Sequence, residues 1–170
     1  MSKRAVIIVS QNTFRDEEFL ETRKILDNRR ISTSVAAPTK DSAFGQQGTE
    51  VKPDMSLSEV NPQNFDAVIF IGGKGSIDFF NSPDIFKIVN GFYSAGKVVS
   101  AIDIAPTILA NAGALISKTV TAFPTEEAVL KNRGAEYTGM PVEVDGNIVT
   151  AKDPSACKEF GEQIAFLLEA

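Results

Sequence analysis

The chain contains no histidine among its 170 residues. Histidine is the commonest general base and the commonest metal ligand, so its absence excludes every catalytic triad and every metal site built on imidazole. A single cysteine, Cys157, excludes a disulfide within the chain. That cysteine count is typical of proteins that work in a reducing compartment.

Positive charge is also in short supply, with 17 lysines and arginines against 22 acidic residues and a net charge of -5. This balance argues against nucleic acid or an anionic membrane as the main partner. The apolar run near the N-terminus is too short for a signal peptide, and no stretch reaches membrane-spanning length. We therefore expect a cytoplasmic protein. With 43% hydrophobic and 23% charged residues, we expect residues 1–170 to form one domain with a sizeable core.

Apolar, β-branched runs alternate with segments of helical spacing along the chain. Strands are predicted at 4–10, 31–37, 67–71, 98–102, 119–123, 142–144 and 148–151. Helices are predicted at 16–30, 83–94, 125–132 and 154–168, and a further helix begins near Pro106 and is stopped by Asn111 and Gly113. Hairpins are predicted around Gly45 to Gly48 and at Asp145-Gly146-Asn147. Residues 57–64 are predicted to form a linker or a helical turn. This alternation predicts an α/β fold, a flavodoxin-like three-layer sandwich whose mostly parallel sheet has helices on both faces.

The stretch VVSAIDIAPTILANAG, residues 98–113, places a lone acid directly after a buried strand. Pro106 suits the first turn of a helix, so Asp103 is predicted at a tight strand-to-helix turn. Ligands of open α/β sheets bind at this edge, and a buried carboxylate there needs hydrogen-bond donors or a proton. The alternative is that Asp103 only caps the following helix, which requires no chemistry.

Two further loops are predicted at the same edge of the sheet. One is Gly72-Gly73-Lys74-Gly75, whose glycines would let peptide N–H groups approach a ligand, although a tight turn explains them equally well. It has neither the spacing of a dinucleotide fingerprint nor the ending of a P-loop, so we expect no nucleotide cofactor. The other loop precedes the acids Asp16, Glu17 and Glu18, which also suit the first turn of a helix because of its dipole. No motif supports a metal site, although carboxylates alone could hold a cation.

Six segments in this order resemble the ThiJ/PfpI superfamily: RAVIIVS, TFRDEEF, AVIFIGGKG, VVSAIDIAPTILANAG, VTAFP and AKDPS. The resemblance covers nearly the whole chain and implies a class I glutamine amidotransferase-like, flavodoxin-like fold. It also implies self-association as a dimer or hexamer. Family members carry a cysteine at the strand-to-helix turn, where this chain has Asp103. Glu18 matches the glutamate that commonly hydrogen-bonds that cysteine.

The resemblance further implies an oxyanion hole formed by the peptide N–H groups of the glycine loop, Gly72 and Gly73, and of Ile104. Histidines of the family fall at two positions occupied here by Ile104 and Phe123. Asp16 and Phe123 are further candidates for ligand contact. The family resemblance implies an intracellular protease or amidase, but a carboxylate cannot replace a thiolate in the formation of a thiohemiacetal or a thioester. Cys157 falls on the closing helix and is more typical of a small packing residue.

Three hypotheses follow for Asp103. In the first, Asp103 and Glu18 share a proton, one of them has a pKa well above that of an ordinary acid, and the pair acts as general acid and base on a small polar substrate. Addition of water to a carbon–nitrogen or carbonyl compound is one example, and some relatives hydrate isonitriles. In the second, the two carboxylate oxygens mimic a cysteine oxidised to sulfinate, and the protein is a pseudoenzyme that binds a small molecule or a partner. In the third, Asp103 is purely structural.

Overall fold

A computed structural model describes residues 1–170. Its strands are β1 (Arg4–Ile8), β2 (Asn12–Phe14), β3 (Ser32–Ala37), β4 (Ala43–Gly45), β5 (Glu50–Val51), β6 (Met55–Ser56), β7 (Ala67–Phe70), β8 (Val98–Ile102), β9 (Thr119–Val120), β10 (Glu136–Tyr137), β11 (Val142–Asp145) and β12 (Ile148–Ala151). Its α-helices are α1 (Asp16–Asn28), α2 (Pro83–Ser94), α3 (Pro106–Asn111), α4 (Glu127–Asn132) and α5 (Cys157–Glu169). Short 3₁₀ helices span Leu57–Glu59, Pro62–Asn64, Lys74–Phe79, Pro124–Glu126 and Pro154–Ala156.

Seven strands form the central sheet in the order β11-β12-β8-β7-β1-β3-β6. Every neighbouring pair is parallel except β11 and β12, which form the hairpin predicted around Gly146. The central strands β7 and β8 are buried at every residue, as their continuous apolar runs predict for a sheet covered on both faces. The carboxyl ends of β1, β7, β8 and β12 therefore lie side by side at one edge.

Helices cover both faces of the sheet, so the predicted three-layer α/β sandwich is confirmed. On one face, α1 and α5 pack together and bury a cluster that includes Phe19, Leu26 and Phe160. On the other face, α2, α3 and α4 bury a second cluster that includes Phe92 and Leu109. None of the helices combines the length and the apolar character needed to cross a bilayer.

Short strands are where the structure departs most from the predicted elements. Residues 12–14, where no strand is predicted, form β2 and pair with the predicted hairpin β4–β5 in a separate three-stranded sheet. The predicted strand 119–123 is reduced to β9, which pairs with β10 outside the central sheet. Strands of two or three residues depend on distant pairing partners, which local sequence does not specify.

Details of two helices also differ from the predictions. Thr13 and Asp16 are both of a type that caps helices, but the N-cap position of α1 is occupied by Arg15, whose side chain makes no capping hydrogen bond. The apolar spacing of α2 is compatible with Tyr93 facing the core, but Tyr93 is 41% exposed and Ile88 is buried. The bounds of α2 itself, 83–94, are those predicted from Pro83 and the apolar spacing.

Candidate functional site

Asp103 lies immediately after β8, at the carboxyl edge of the central sheet. Its φ of 67° is in the left-handed region, which costs a residue other than glycine about 1–2 kcal/mol. Two neighbouring segments hold it there: the Asp103 N–H donates to the Ala151 carbonyl (3.0 Å), and the Asp103 carbonyl accepts from the Phe123 N–H (2.8 Å). Because α3 is capped at Ala105 without a side-chain bond, the capping role considered for Asp103 is wrong.

The Asp103 carboxylate is bonded to the peptide groups expected to form an oxyanion hole. Its Oδ2 accepts from the Gly73 N–H at 3.3 Å, and the Ile104 N–H also stabilises the carboxylate. Gly73 has a φ of 101°, and a Cβ on it would lie 2.6 Å from the Thr13 carbonyl, so only glycine fits this turn. The loop therefore directs its N–H donors at an anion that the protein itself supplies.

Glu18 approaches the same loop from α1 and is fully buried. Its Oε1 accepts from the Gly72 N–H at 2.8 Å, whereas its Oε2 has no hydrogen-bond partner. A Cβ on Gly72 would lie 2.6 Å from the Asp103 Cβ and 2.8 Å from the Glu18 Oε1. The missing side chain of Gly72 thus allows two carboxyl groups to flank one peptide, each accepting from one of two successive N–H groups.

Both carboxyl groups have raised pKa values. Burial, together with the negative charge of Asp103, raises the pKa of Glu18 well above its ordinary value, and the Gly72 N–H only partly opposes this. Burial also raises the pKa of Asp103, against the positive charge of Arg15 and the N–H groups of Gly73 and Ile104. The negative charge of Asp103 thus acts on Glu18, but no hydrogen bond joins the two carboxyl groups, so the expected sharing of a proton between them is not seen in the structure.

Arg15 is a member of this site that the sequence analysis did not identify. Its N–H donates to the Gly72 carbonyl (3.0 Å), which fixes its backbone against the glycine loop. Its positive charge lowers the pKa of both Asp103 and Glu18. Yet Arg15 forms none of the ion pairs in the structure, and its buried Nε has no hydrogen-bond partner. The available signal was a lone cation directly before an acidic run at a strand-to-helix turn.

Asp16, a predicted binding residue, instead holds a turn in place. Its two carboxylate oxygens accept from the N–H groups of Gln47 (2.9 Å) and Thr49 (3.0 Å). Burial would raise the pKa of Asp16, but these hydrogen bonds outweigh it and lower that pKa. Because the Asp16 carboxylate is occupied by the 45–49 turn, we assign it a structural role.

Phe123, another predicted contact residue, lies beside Asp103 through the backbone hydrogen bond described above. It is 37% exposed, and Ile104 is half-buried. Asp103 itself is only 5% exposed, so its carboxylate is largely shielded from solvent.

The only thiol of the chain lies in a different environment. Cys157 begins α5 and is buried. Burial, together with the negative charges of Glu21 and Glu18, raises its pKa to about 11. A thiol that stays protonated is a poor nucleophile, so Cys157 does not replace a reactive cysteine.

Two cavities lie away from Asp103. A cavity of about 450 Å³ lies at the opposite edge of the sheet, lined by residues 1–4 and 63–66. Another of about 350 Å³ lies between α1 and α5. No three acidic or cysteine side chains come together in a way that could hold a metal ion. The two carboxyl groups with raised pKa values, Glu18 and Asp103, line neither of these cavities.

Comparison with known proteins agrees with this architecture. The model of the DJ-1/PfpI family matches residues 3–166. An uncharacterized protein of Methanocaldococcus jannaschii is 34% identical over 169 residues, covering 98% of this chain and 82% of the relative. The deglycase PfpI of Pyrococcus furiosus is 30% identical over 149 residues, covering 88% of this chain and 90% of the relative. The crystal structure of a ThiJ/PfpI domain protein from Brachyspira murdochii superimposes with a TM-score of 0.96 at 30% identity, covering 99% of this chain and 97% of that one.

Proposed function

Because the chain belongs to the DJ-1/PfpI family, we propose that Asp103 stands where that family has its reactive cysteine and that this site binds a small polar molecule without thiol chemistry. The single observation that carries the proposal is the bond from the Gly73 N–H to the Asp103 Oδ2. In acyl transfer, such donors stabilise an oxyanion that forms only in the transition state. In this protein the donors are instead occupied permanently by the carboxylate of Asp103.

The thiol part of the proposal is tested with a glycated amine as substrate, since several relatives are named deglycases. We compare the wild-type protein, Asp103→Asn and Asp103→Cys, all in a Cys157→Ala background. The first two should stay at the uncatalysed rate. Asp103→Cys should gain a turnover that iodoacetamide abolishes, because the Gly73 and Ile104 N–H groups and the charge of Arg15 favour a thiolate. Wild-type turnover that Asp103→Asn removes would refute the proposal.

The binding part is tested by thermal shift against a panel of small polar metabolites. A ligand of this site should raise the melting temperature of the wild-type protein and should fail to do so for Asp103→Asn. Asp41→Asn removes an exposed carboxylate elsewhere and should respond like the wild type. A panel in which both variants respond alike would place the ligand outside the Asp103 site.

A second candidate function is general acid–base catalysis by Asp103 and Glu18. It is favoured by the raised pKa of Glu18, which keeps a proton beside a carboxylate that can accept one. Hydration of a small carbon–nitrogen compound would use both roles. Consumption of an isonitrile by the wild-type protein, lost in both Glu18→Gln and Asp103→Asn, would support this function. Equal rates of isonitrile consumption with and without the protein would rule out this second function.

We also propose that the chain self-associates as a dimer or hexamer, as the family resemblance implies. Sedimentation velocity at micromolar concentration tests this. A species of 18.3 kDa that persists at all concentrations would refute it.

A further inference from the structure

Two charged side chains at the start of α1 have opposite signs and no partner within the chain. Arg15 is the N-cap residue of α1 and Glu17 follows two residues later, and neither takes part in the ion pairs of the structure. Both residues are half-buried, and the Arg15 Nε and the Glu17 Oε1 are shielded from water without a hydrogen-bond partner. Partial burial of a charge costs free energy, which an opposite charge beside it offsets.

Arg15 and Glu17 are not neighbours on the surface of one helix. Residues three or four apart face each other on a helix, whereas residues two apart do not. Two copies of the chain related by a twofold axis remove this restriction, because residue 15 of each copy can then meet residue 17 of the other, and the same contact forms twice. A second copy is therefore a partner that supplies both missing charges at once.

Exposed apolar side chains lie on the elements around these two charges. Leu20 is 51% exposed and stands one turn beyond Glu17 on α1. Phe44 is 42% exposed on β4, and Ile77 is 53% exposed on the 3₁₀ helix Lys74–Phe79. Single exposed apolar side chains are common on proteins, but three on adjoining elements indicate a surface for another protein.

Strand β2 brings these elements together. Asn12 of β2 pairs with Phe44 of β4. A Cβ on Gly75, two residues before Ile77, would collide with the Asn12 carbonyl, so the 3₁₀ helix lies directly against β2. The same strand leads into Arg15 at the start of α1. We call this continuous region the α1 face, and its members are Arg15, Glu17, Leu20, Phe44 and Ile77.

We infer that a second copy of this chain binds to the α1 face. Arg15 of each copy pairs with Glu17 of the other about a twofold axis, and the apolar side chains exclude water around the two ion pairs. This inference rests on the proposed self-association and names the surface that produces it. Because the Arg15 N–H is bonded to the Gly72 carbonyl, the second copy brings a carboxylate next to the glycine loop that holds Asp103.

Charge reversal tests this pairing, with sedimentation velocity over a range of concentrations as the assay. The concentration at which half of the chains are associated should rise at least about tenfold for Arg15→Glu and for Glu17→Arg, because each change places like charges across the axis. The double variant Arg15→Glu/Glu17→Arg restores opposite charges and should associate more tightly than either single variant. Leu20→Ser and Ile77→Ser should also weaken association at least about tenfold, since they remove apolar area from the contact.

Matched variants control for effects outside the α1 face. Lys87→Glu reverses an exposed charge on α2, across the sheet from α1, and should associate as the wild type does. Phe166→Ser removes a 65% exposed apolar side chain from α5 and should also leave association unchanged. Circular dichroism checks that each variant is folded. If either variant that carries Arg15→Glu is unfolded, Glu17→Arg and the two serine variants on the α1 face decide the outcome.

The possible results separate this inference from the self-association on which it rests. If the chain associates but Glu17→Arg, or both α1-face serine variants, behave as the wild type does, the inference is overturned and self-association stands. A folded double variant that associates no more tightly than the single variants also overturns the inference, because the two charges then do not meet across the axis. If the chain stays monomeric at every concentration, both the inference and the proposed self-association fail.

Discussion

Replacing Glu18 by glutamine should change how the stability of the protein depends on pH. Glutamine keeps a side-chain oxygen to accept the Gly72 N–H, but it removes the titrating group. The wild-type carboxyl is fully buried, unpartnered at Oε2 and close to the charge of Asp103, so its pKa in the folded state is raised well above 4.5. The unfolded chain releases this proton near the ordinary value.

The sign of the effect follows from proton linkage. A carboxyl whose pKa is raised by folding stabilises the protein fully below pH 4.5, and that stability is lost as the pH rises through the folded-state pKa. Within this window the unfolded state binds about one proton fewer than the native state. The free energy of unfolding of the wild type therefore falls by about 1.4 kcal/mol per pH unit through Glu18 alone. Glu18→Gln lacks this contribution.

The assay is urea unfolding followed by circular dichroism between pH 4 and pH 8, with the slopes of the transitions compared to exclude changes in the unfolded state. The stability of Glu18→Gln relative to the wild type should increase steadily above pH 4.5. In an Asp103→Asn background the increase should end at a lower pH, because the charge that helps to raise the pKa of Glu18 is gone. Glu159→Gln, an exposed change on α5, should run parallel to the wild type. Parallel curves for Glu18→Gln would mean that Glu18 is ionised in the folded protein, which would refute the reasoning.

Further changes test other contacts of the structure. Asp16→Asn keeps one acceptor for two N–H groups of the 45–49 turn, so urea unfolding at pH 7 should show a loss of about 1–3 kcal/mol; an unchanged midpoint would contradict the structural role of Asp16. Gly72→Ala should destabilise more than Gly96→Ala in thermal melts, since only the former brings a Cβ within 2.8 Å of two carboxyl side chains, and equal melting temperatures would argue against that crowding. Cys157 should resist iodoacetamide at pH 7 in the folded protein and react in urea, as measured by intact mass; rapid labelling of the folded protein would contradict its raised pKa.

The position of Asp103 could be predicted because a local rule places it. An apolar β-branched run that ends at an acid and is followed by Pro106 favours a buried strand meeting a helix, and parallel strands bring such ends to one edge. The same rule placed Gly73 beside it. These predictions depend only on the periodicity of apolar residues and on turn chemistry. They do not require knowledge of contacts between distant segments.

The roles of Asp16, Glu17 and Glu18 could not be separated in the same way. All three are acids that suit the first turn of a helix, because the helix dipole favours negative charge there and does so equally for each of them. Their roles differ because of what α1 packs against: Asp16 meets the 45–49 turn, whereas Glu18 meets Gly72. Arg15 was missed for a related reason, since its importance lies in its place relative to Asp103 across the sheet edge.

The balance of forces at Asp103 indicates why a charged residue occupies this turn. Asparagine adopts the left-handed region as readily as aspartate and has an oxygen for the Gly73 N–H. It would avoid burying a charge, and the raised pKa of Asp103 shows that burial acts against the carboxylate here. The charged form nevertheless has partners within the protein, because the positive charge of Arg15 and the N–H groups of Gly73 and Ile104 lower the pKa of Asp103 against burial. An asparagine at this position would keep the acceptor for the Gly73 N–H but would lose the attraction to Arg15.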